Sequence, residues 1–132
     1  MSEEFKIDIV DPEKSFFTKE NVTEVSIPAF EGDIGILKDH INLISFLKPG
    51  IVKVSTANEH ESFYVEDGIV EFKENVLSIL TSSIFNLKKL DKTKIAESIK
   101  EAENSLSENN VNDQKRFIIN QKIHVLKLIS ST

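Results

Sequence analysis

All four glycines (Gly32, Gly35, Gly50, Gly68) and all three prolines (Pro12, Pro28, Pro49) fall within the first 68 residues of a 132-residue chain. Both residue types interrupt regular structure, so turns are confined to the first part and the rest is free to form long helices. The chain is therefore expected to divide into a turn-rich body, residues 1–87, and a helical tail, residues 88–132. Its length suits one ordinary domain, or a small domain with an appendage.

The body reads as short strands. Phe5, Ile7 and Ile9 alternate with polar neighbours, the period-two pattern of a half-buried strand. Val25 and Ile27 repeat it before Pro28, and Val52 and Val54 repeat it after the Pro49-Gly50 turn. Phe63 and Val65 lead into Asp67-Gly68, a hairpin signal because both residues tolerate positive φ. Val70 and Phe72 follow, then an apolar run from Val76 to Leu80. Short, closely spaced strands predict an antiparallel β-sandwich or barrel.

The tail reads as two helices. Asp91 is an N-cap candidate, and Ile95, Ile99, Ala102 and Leu106 recur on one helical face. Ser107 to Asn112 breaks the pattern. A second helix is predicted from near Asp113 to about Ile129, with Phe117, Ile118, Ile119, Ile123, Val125, Leu126 and Ile129 apolar. A stripe that wide must pack on something, and the short link between the helices predicts an αα-hairpin.

Composition excludes several function classes. Without cysteine there is no disulfide framework, thiol nucleophile or cysteine zinc site. The opening MSEEFKIDIV has neither the basic start and apolar run of a signal peptide nor the basic character of a transit peptide. No run approaches the roughly 20 apolar residues of a membrane span, so any membrane association is expected through a partner and not by insertion. A formal net charge of -6 argues against nucleic acid as a partner. Through Leu87, 16 acidic residues face 7 lysines; from Lys88 onward, 9 basic residues face 6 acidic ones. An acidic body thus carries a mildly basic tail.

A catalytic centre finds no support. His40, His60 and His124 are far apart and lack a metal-ligand spacing; His60 reads as part of an exposed hairpin tip and His124 as a helix residue beside apolar positions, each with a structural or solvent role. No phosphate-cradling loop or nucleophile elbow occurs. Acidic pairs such as Glu66-Asp67 read as solvated turn residues. The densest segment is Gly32-Asp33-Ile34-Gly35-Ile36-Leu37-Lys38-Asp39-His40. Taken alone, two glycines three apart among strands suggest a β-bulge with a hydrogen-bonded histidine.

Taken with Leu47-Lys48-Pro49-Gly50 downstream, that segment resembles the epsilon subunit of F-type ATP synthases. The aromatic pair Phe16-Phe17, the stretch Asp67-Gly68-Ile69-Val70-Glu71, the run Val76 to Thr81 and the dipeptide Leu90-Asp91 extend the likeness over essentially the whole chain. The run to Thr81 aligns with the family's last sandwich strand, and Leu90-Asp91 with the opening of its first C-terminal helix. Two departures are Asn42, where the family often has proline, and Asp67, where it usually has glycine.

The resemblance implies a non-catalytic rotor subunit at the foot of the central stalk. Its sandwich would bind the gamma subunit and rest on the c-subunit ring, coupling proton-driven rotation to ATP synthesis. It implies a contact surface built from Gly32, Asp33, Gly35, Ile36 and His40, with Asp33 and the loop through His40 facing the c ring. It implies a peripheral position on the cytoplasmic face of the bacterial inner membrane. The C-terminal hairpin regulates many relatives by entering the alpha/beta head; Lys115, Arg116, Lys122 and Lys127 are the candidate contacts here, with a solvated helix face as the plain alternative. Some relatives bind ATP on the first helix through arginines. In this chain the motif is degenerate: Asp91 remains, Lys94 replaces one arginine as a point charge only, Glu101 reverses a second charge and Ser105 loses a third, so no cofactor and no tight ATP binding are expected. A function of another class, a stand-alone β-sandwich interaction module with a helical dimerisation hairpin, fits the same pattern of elements.

Overall fold

A computed structural model describes residues 3–13, 15–89, 91–108 and 110–131. The chain forms two compact units, Met1–Leu87 and Lys88–Thr132. Nine strands occur among the described residues of the first unit: β1 (Phe5–Val10), β2 (Ser15–Ala29), β3 (Gly32–Ile36), β4 (Leu43–Leu47), β5 (Gly50–Thr56), β6 (His60–Val65), β7 (Gly68–Lys73), β8 (Val76–Leu80) and β9 (Ile84–Asn86).

The long strand β2 organises the sandwich. Its first half pairs with β1, and its second half pairs with β5 on one edge and β3 on the other. Between the halves Asn21 takes φ 63 and the register slips on both sides, which bends the strand and lets it serve two layers. One layer runs β1-β8-β7-β4; the other contains the second half of β2 with β3, β5, β6 and β9. Inward positions of both layers interleave in one core holding Phe5, Ile7, Ile9, Val25, Ile27, Ile36, Val52, Phe63, Phe72, Leu77 and Ile79. Phe5 meets Phe72 edge-on at 5.5 Å between ring centroids, and Phe16 and Phe17 flank Phe63.

Strand β2 continues through Pro28 to Ala29 opposite Gly32. Three readings of the sequence need correction. Asp67-Gly68 is not the turn of a hairpin, because β6 pairs with β5 and β9 whereas β7 pairs with β4 and β8. Glu66-Asp67 instead carries the chain from one layer to the other. The Val76–Leu80 strand is not the last, since β9 follows it. The sandwich is antiparallel except at β1–β8, where Lys6 to Val10 run parallel to Val76 to Leu80.

The second unit is two helices in contact with each other, α1 (Lys92–Leu106) and α2 (Asp113–Ser130). Asp91 caps α1 as expected, its carboxylate accepting the N–H groups of Thr93 at 3.0 Å and Lys94 at 3.4 Å. Leu90, its partner in the family dipeptide, lies outside the described residues. Asn112 caps α2 through the Lys115 N–H at 2.8 Å. Ile95 and Ala102 are buried on α1; Ile123, Val125, Leu126 and Ile129 are buried on α2. Phe117, read as part of the packing stripe, is exposed together with Leu128. The two lie eleven residues apart, about three turns along one side of α2.

Candidate functional site

The Gly32–His40 segment is an ordinary strand with a special turn at each end. Residues Gly32 to Ile36 pair in unbroken register with Ala29 to Val25, so the expected bulge does not form. Phe30-Glu31 makes a two-residue hairpin tip, and Gly32 closes it at φ 133. Asp33 and Gly35 have the same parity and face outward; Ile36 has the other parity and is fully buried in the core. Of the expected contact residues, Ile36 is therefore a packing residue, because a contact needs surface. Gly32 and Asp33 belong to one end of β3 and His40 lies beyond the other. A five-residue strand spans roughly 15 Å, so Asp33 and His40 stand at opposite ends of β3.

At the hairpin end, the carboxylate of Glu31 accepts the Ser45 hydroxyl at 2.8 Å. Its own backbone N–H, then Ser45, hold this carboxyl below its usual pKa, with slight burial opposing them.

At the other end, the His40 N–H donates to the Leu37 carbonyl at 3.1 Å and closes a turn. Its ring Nδ1–H donates to the Ile41 carbonyl at 2.7 Å, and the ring stands edge-on to Phe72. Asp39, inside the turn, has φ 65. Its N–H donates to Asn75 Oδ1 at 2.7 Å, and Asn75 Nδ2 donates back to Asp39 Oδ1 at 2.9 Å.

One surface feature was missed in the sequence. Phe46 on β4, Ile69 on β7 and Leu80 on β8 are register partners in sequence and stand side by side on the outer face of their layer. All three are exposed, as are Ile44 and Phe30. Phe46, Ile69 and Leu80 line one hollow with Phe30 and Pro12. Ile44 is 70% and Ile41 78% exposed, so the apolar surface continues along β4 to the His40 loop. The available signal was Leu43-Ile44-Ser45-Phe46-Leu47, apolar at both parities. A strand with one face in a core and a second apolar face implies a cover on that second face.

In the helical unit, Asp91 is committed to capping, and the Ser105 hydroxyl donates to the Glu101 carbonyl at 3.0 Å. Lys94 and Glu101 are exposed. On α2, Lys115 and Arg116 are exposed, and Lys127 pairs with Glu103 of α1 at 3.6 Å. At about 100° per residue, Lys115 and Lys122 share one azimuth whereas Arg116 and Lys127 share another, so the four cations do not form one stripe. Among the described residues no group of three His, Cys, Asp or Glu side chains is placed to hold a metal ion, and no helix is long and apolar enough to cross a membrane.

Residues 4–87 match the family model for the ATP synthase delta/epsilon chain, beta-sandwich domain. The chain is 59% identical over 130 residues to an ATP synthase epsilon chain of Pelagibacter ubique, covering 98% of this chain and 100% of that one. It is 37% identical over 102 residues to an ATP synthase epsilon chain of Afipia carboxidovorans, covering 77% and 74%. Among solved structures, a chain of the Euglena gracilis mitochondrial ATP synthase (OSCP/F1/c-ring) superposes with a TM-score of 0.76 at 18% identity, over 99% of this chain and 82% of that one. A chain of the Tetrahymena thermophila mitochondrial ATP synthase central stalk and c-ring gives 0.63 at 13% identity, over 98% of each. At those identities the likeness is one of fold.

Proposed function

This chain belongs to the ATP synthase delta/epsilon family, and from that premise we propose that it is a non-catalytic central-stalk subunit of a bacterial F-type ATP synthase, turning with gamma and the c ring to couple proton flow to ATP synthesis. The observation that carries the reading is the exposed apolar row Phe46, Ile69 and Leu80 with Ile44 beside it. A contiguous apolar face of this kind on a sheet implies a protein cover. Gamma is the proposed cover. Asp33, outward on the β2–β3 hairpin, is the proposed charged contact to the polar loops of the c ring. The subunit is held peripherally on the cytoplasmic face of the inner membrane by these partners.

The helical unit is the proposed regulatory element. Its reach into the alpha/beta head is supported by exposed Phe117 and Leu128 beside the cations Arg116 and Lys127. The isolated chain is proposed not to hold ATP tightly. Asp91 is occupied as a cap, and Glu101 puts a negative charge where a triphosphate requires a cation.

A pull-down of the full-length chain from membranes tests the assignment. Gamma and c subunits are expected with the wild type, a strong loss of gamma with Phe46→Asp, and retained gamma with weakened proton-coupled ATP synthesis for Asp33→Ala. Self-association without gamma would favour the stand-alone module instead. Calorimetric titration with millimolar Mg-ATP should give no micromolar dissociation constant.

A further inference from the structure

Leu37 to His40 is a β-turn closed by the His40 N–H on the Leu37 carbonyl. Positive φ occurs at its third residue, Asp39, and not at its second, Lys38. This is the type II pattern, which ordinarily requires glycine or asparagine at the third position. Aspartate tolerates positive φ but lacks glycine's freedom there, so its surroundings decide how firmly the turn is held. Asn75 holds it from the β7–β8 turn, itself built on positive φ at Glu74 and Asn75. The Asn75 amide makes both side-chain bonds to Asp39, one to its N–H and one to its carboxylate. The β7–β8 turn is in turn anchored to β1 by the Lys6 N–H on the Asn75 carbonyl at 3.2 Å.

The turn so fixed leads directly into Ile41, the most exposed large apolar residue described, with Leu37 exposed at its other end. Ile41 precedes Ile44, the first outward residue of β4, by three positions. The sheet needs no help to present Ile44 and Phe46. Ile41 lies on a loop, and a loop residue contributes to binding only as far as its position is set beforehand.

We infer that Asn75 is a positioning residue for partner docking: through Asp39 it presets the Leu37–Ile41 turn so that exposed Ile41 meets gamma, in place of the c-ring contact expected for the loop through His40. The inference rests on the stalk reading and adds the residues that shape the edge of the contact.

The test uses the bacterium's catalytic sector, containing gamma and stripped of this subunit, and measures its affinity for the full-length chain. Asp39→Gly keeps the backbone relaxed, because glycine is free at φ 65, but loses the carboxylate bond. Asp39→Gly and Asn75→Ala are each expected to weaken binding by about three- to tenfold, with the melting temperature of isolated Asp39→Gly unchanged or higher. The double variant should bind no worse than the weaker single one, since the two residues act as one device. Asp39→Asn, which tolerates positive φ and retains an accepting oxygen, should restore wild-type affinity. Wild-type binding by both Asp39→Gly and Asn75→Ala overturns the inference, as does an affinity loss that follows melting temperature across the series. Wild-type binding by Ile41→Asp overturns it too, leaving the stalk reading intact. Failure of the wild type itself to bind removes the stalk reading and this inference with it.

Discussion

Tyr64 is the single tyrosine of a chain without tryptophan, so its ionisation can be followed alone. The residue is 1% exposed, and its ring lies against Phe85 at 5.1 Å. Burial first, and the negative charge of Glu66 second, push its pKa far above the ordinary phenol range. A raised folded-state value means that the stability it contributes is complete below about pH 10, the ordinary tyrosine value, and is lost as pH rises beyond that. Phenolate absorbance is therefore expected to appear together with alkaline unfolding. A reversible phenolate step near pH 10 in the folded protein would refute the prediction. At the same scale, parity along β3 decides which residues of the Gly32–His40 motif can touch a partner. Ile36 shares the inward parity of Ile34, and this was readable from sequence once the segment was taken as a strand. The mutual bonds of Asp39 and Asn75 were not readable, because they join residues 36 positions apart through a turn whose φ values no periodicity encodes.

Elements with one buried face were the most legible. Phe5-Ile7-Ile9 and Val52-Val54 alternate as their strands do, and Asp91 caps α1 where its side chain predicted. Strand β4 was overlooked because both of its faces are apolar, and β9 because three residues carry no period. Asp67-Gly68 misled for another reason: a turn signal reports local backbone, whereas the strand that pairs next is chosen by the core. That turn has its own exacting geometry. Gly68 has φ 150, and a Cβ there would stand 2.6 Å from the Leu80 carbonyl oxygen and 3.1 Å from Thr81 Cβ. Gly68→Ala is expected to cost about 2–4 kcal/mol. A Cβ on Gly35 would meet only the Glu24 carboxylate, at 3.7 Å, without positive φ. Gly35→Ala is expected to stay within about 0.5 kcal/mol of wild type. Urea unfolding of the two variants checks both values; equal losses would contradict the assignment of Gly68 as the constrained position.

For the whole molecule, every glycine and proline lies in the first of the two units, and the second is built from uninterrupted helices. The regulatory proposal makes removal of residues 88–132 informative. In the membrane-bound enzyme, ATP hydrolysis is expected to rise several-fold while gamma is retained; unchanged hydrolysis would leave the hairpin without an inhibitory role. The apolar row on β4, β7 and β8 was illegible until pairing brought Phe46, Ile69 and Leu80 together from three separate strands. The parallel match of β1 with β8 bears on how the protein comes into being. Lys6 pairs with Val76, so β1 is completed by a strand made about 70 residues later. At a synthesis rate of about 5–20 residues per second, Phe5, Ile7 and Ile9 emerge several seconds before β8 exists to cover them. β1 can pair with β2 meanwhile, but the layer cannot close. Among the described strands of the sandwich, β1 thus waits long for its second neighbour, and nascent-chain chaperones have good reason to meet the protein there.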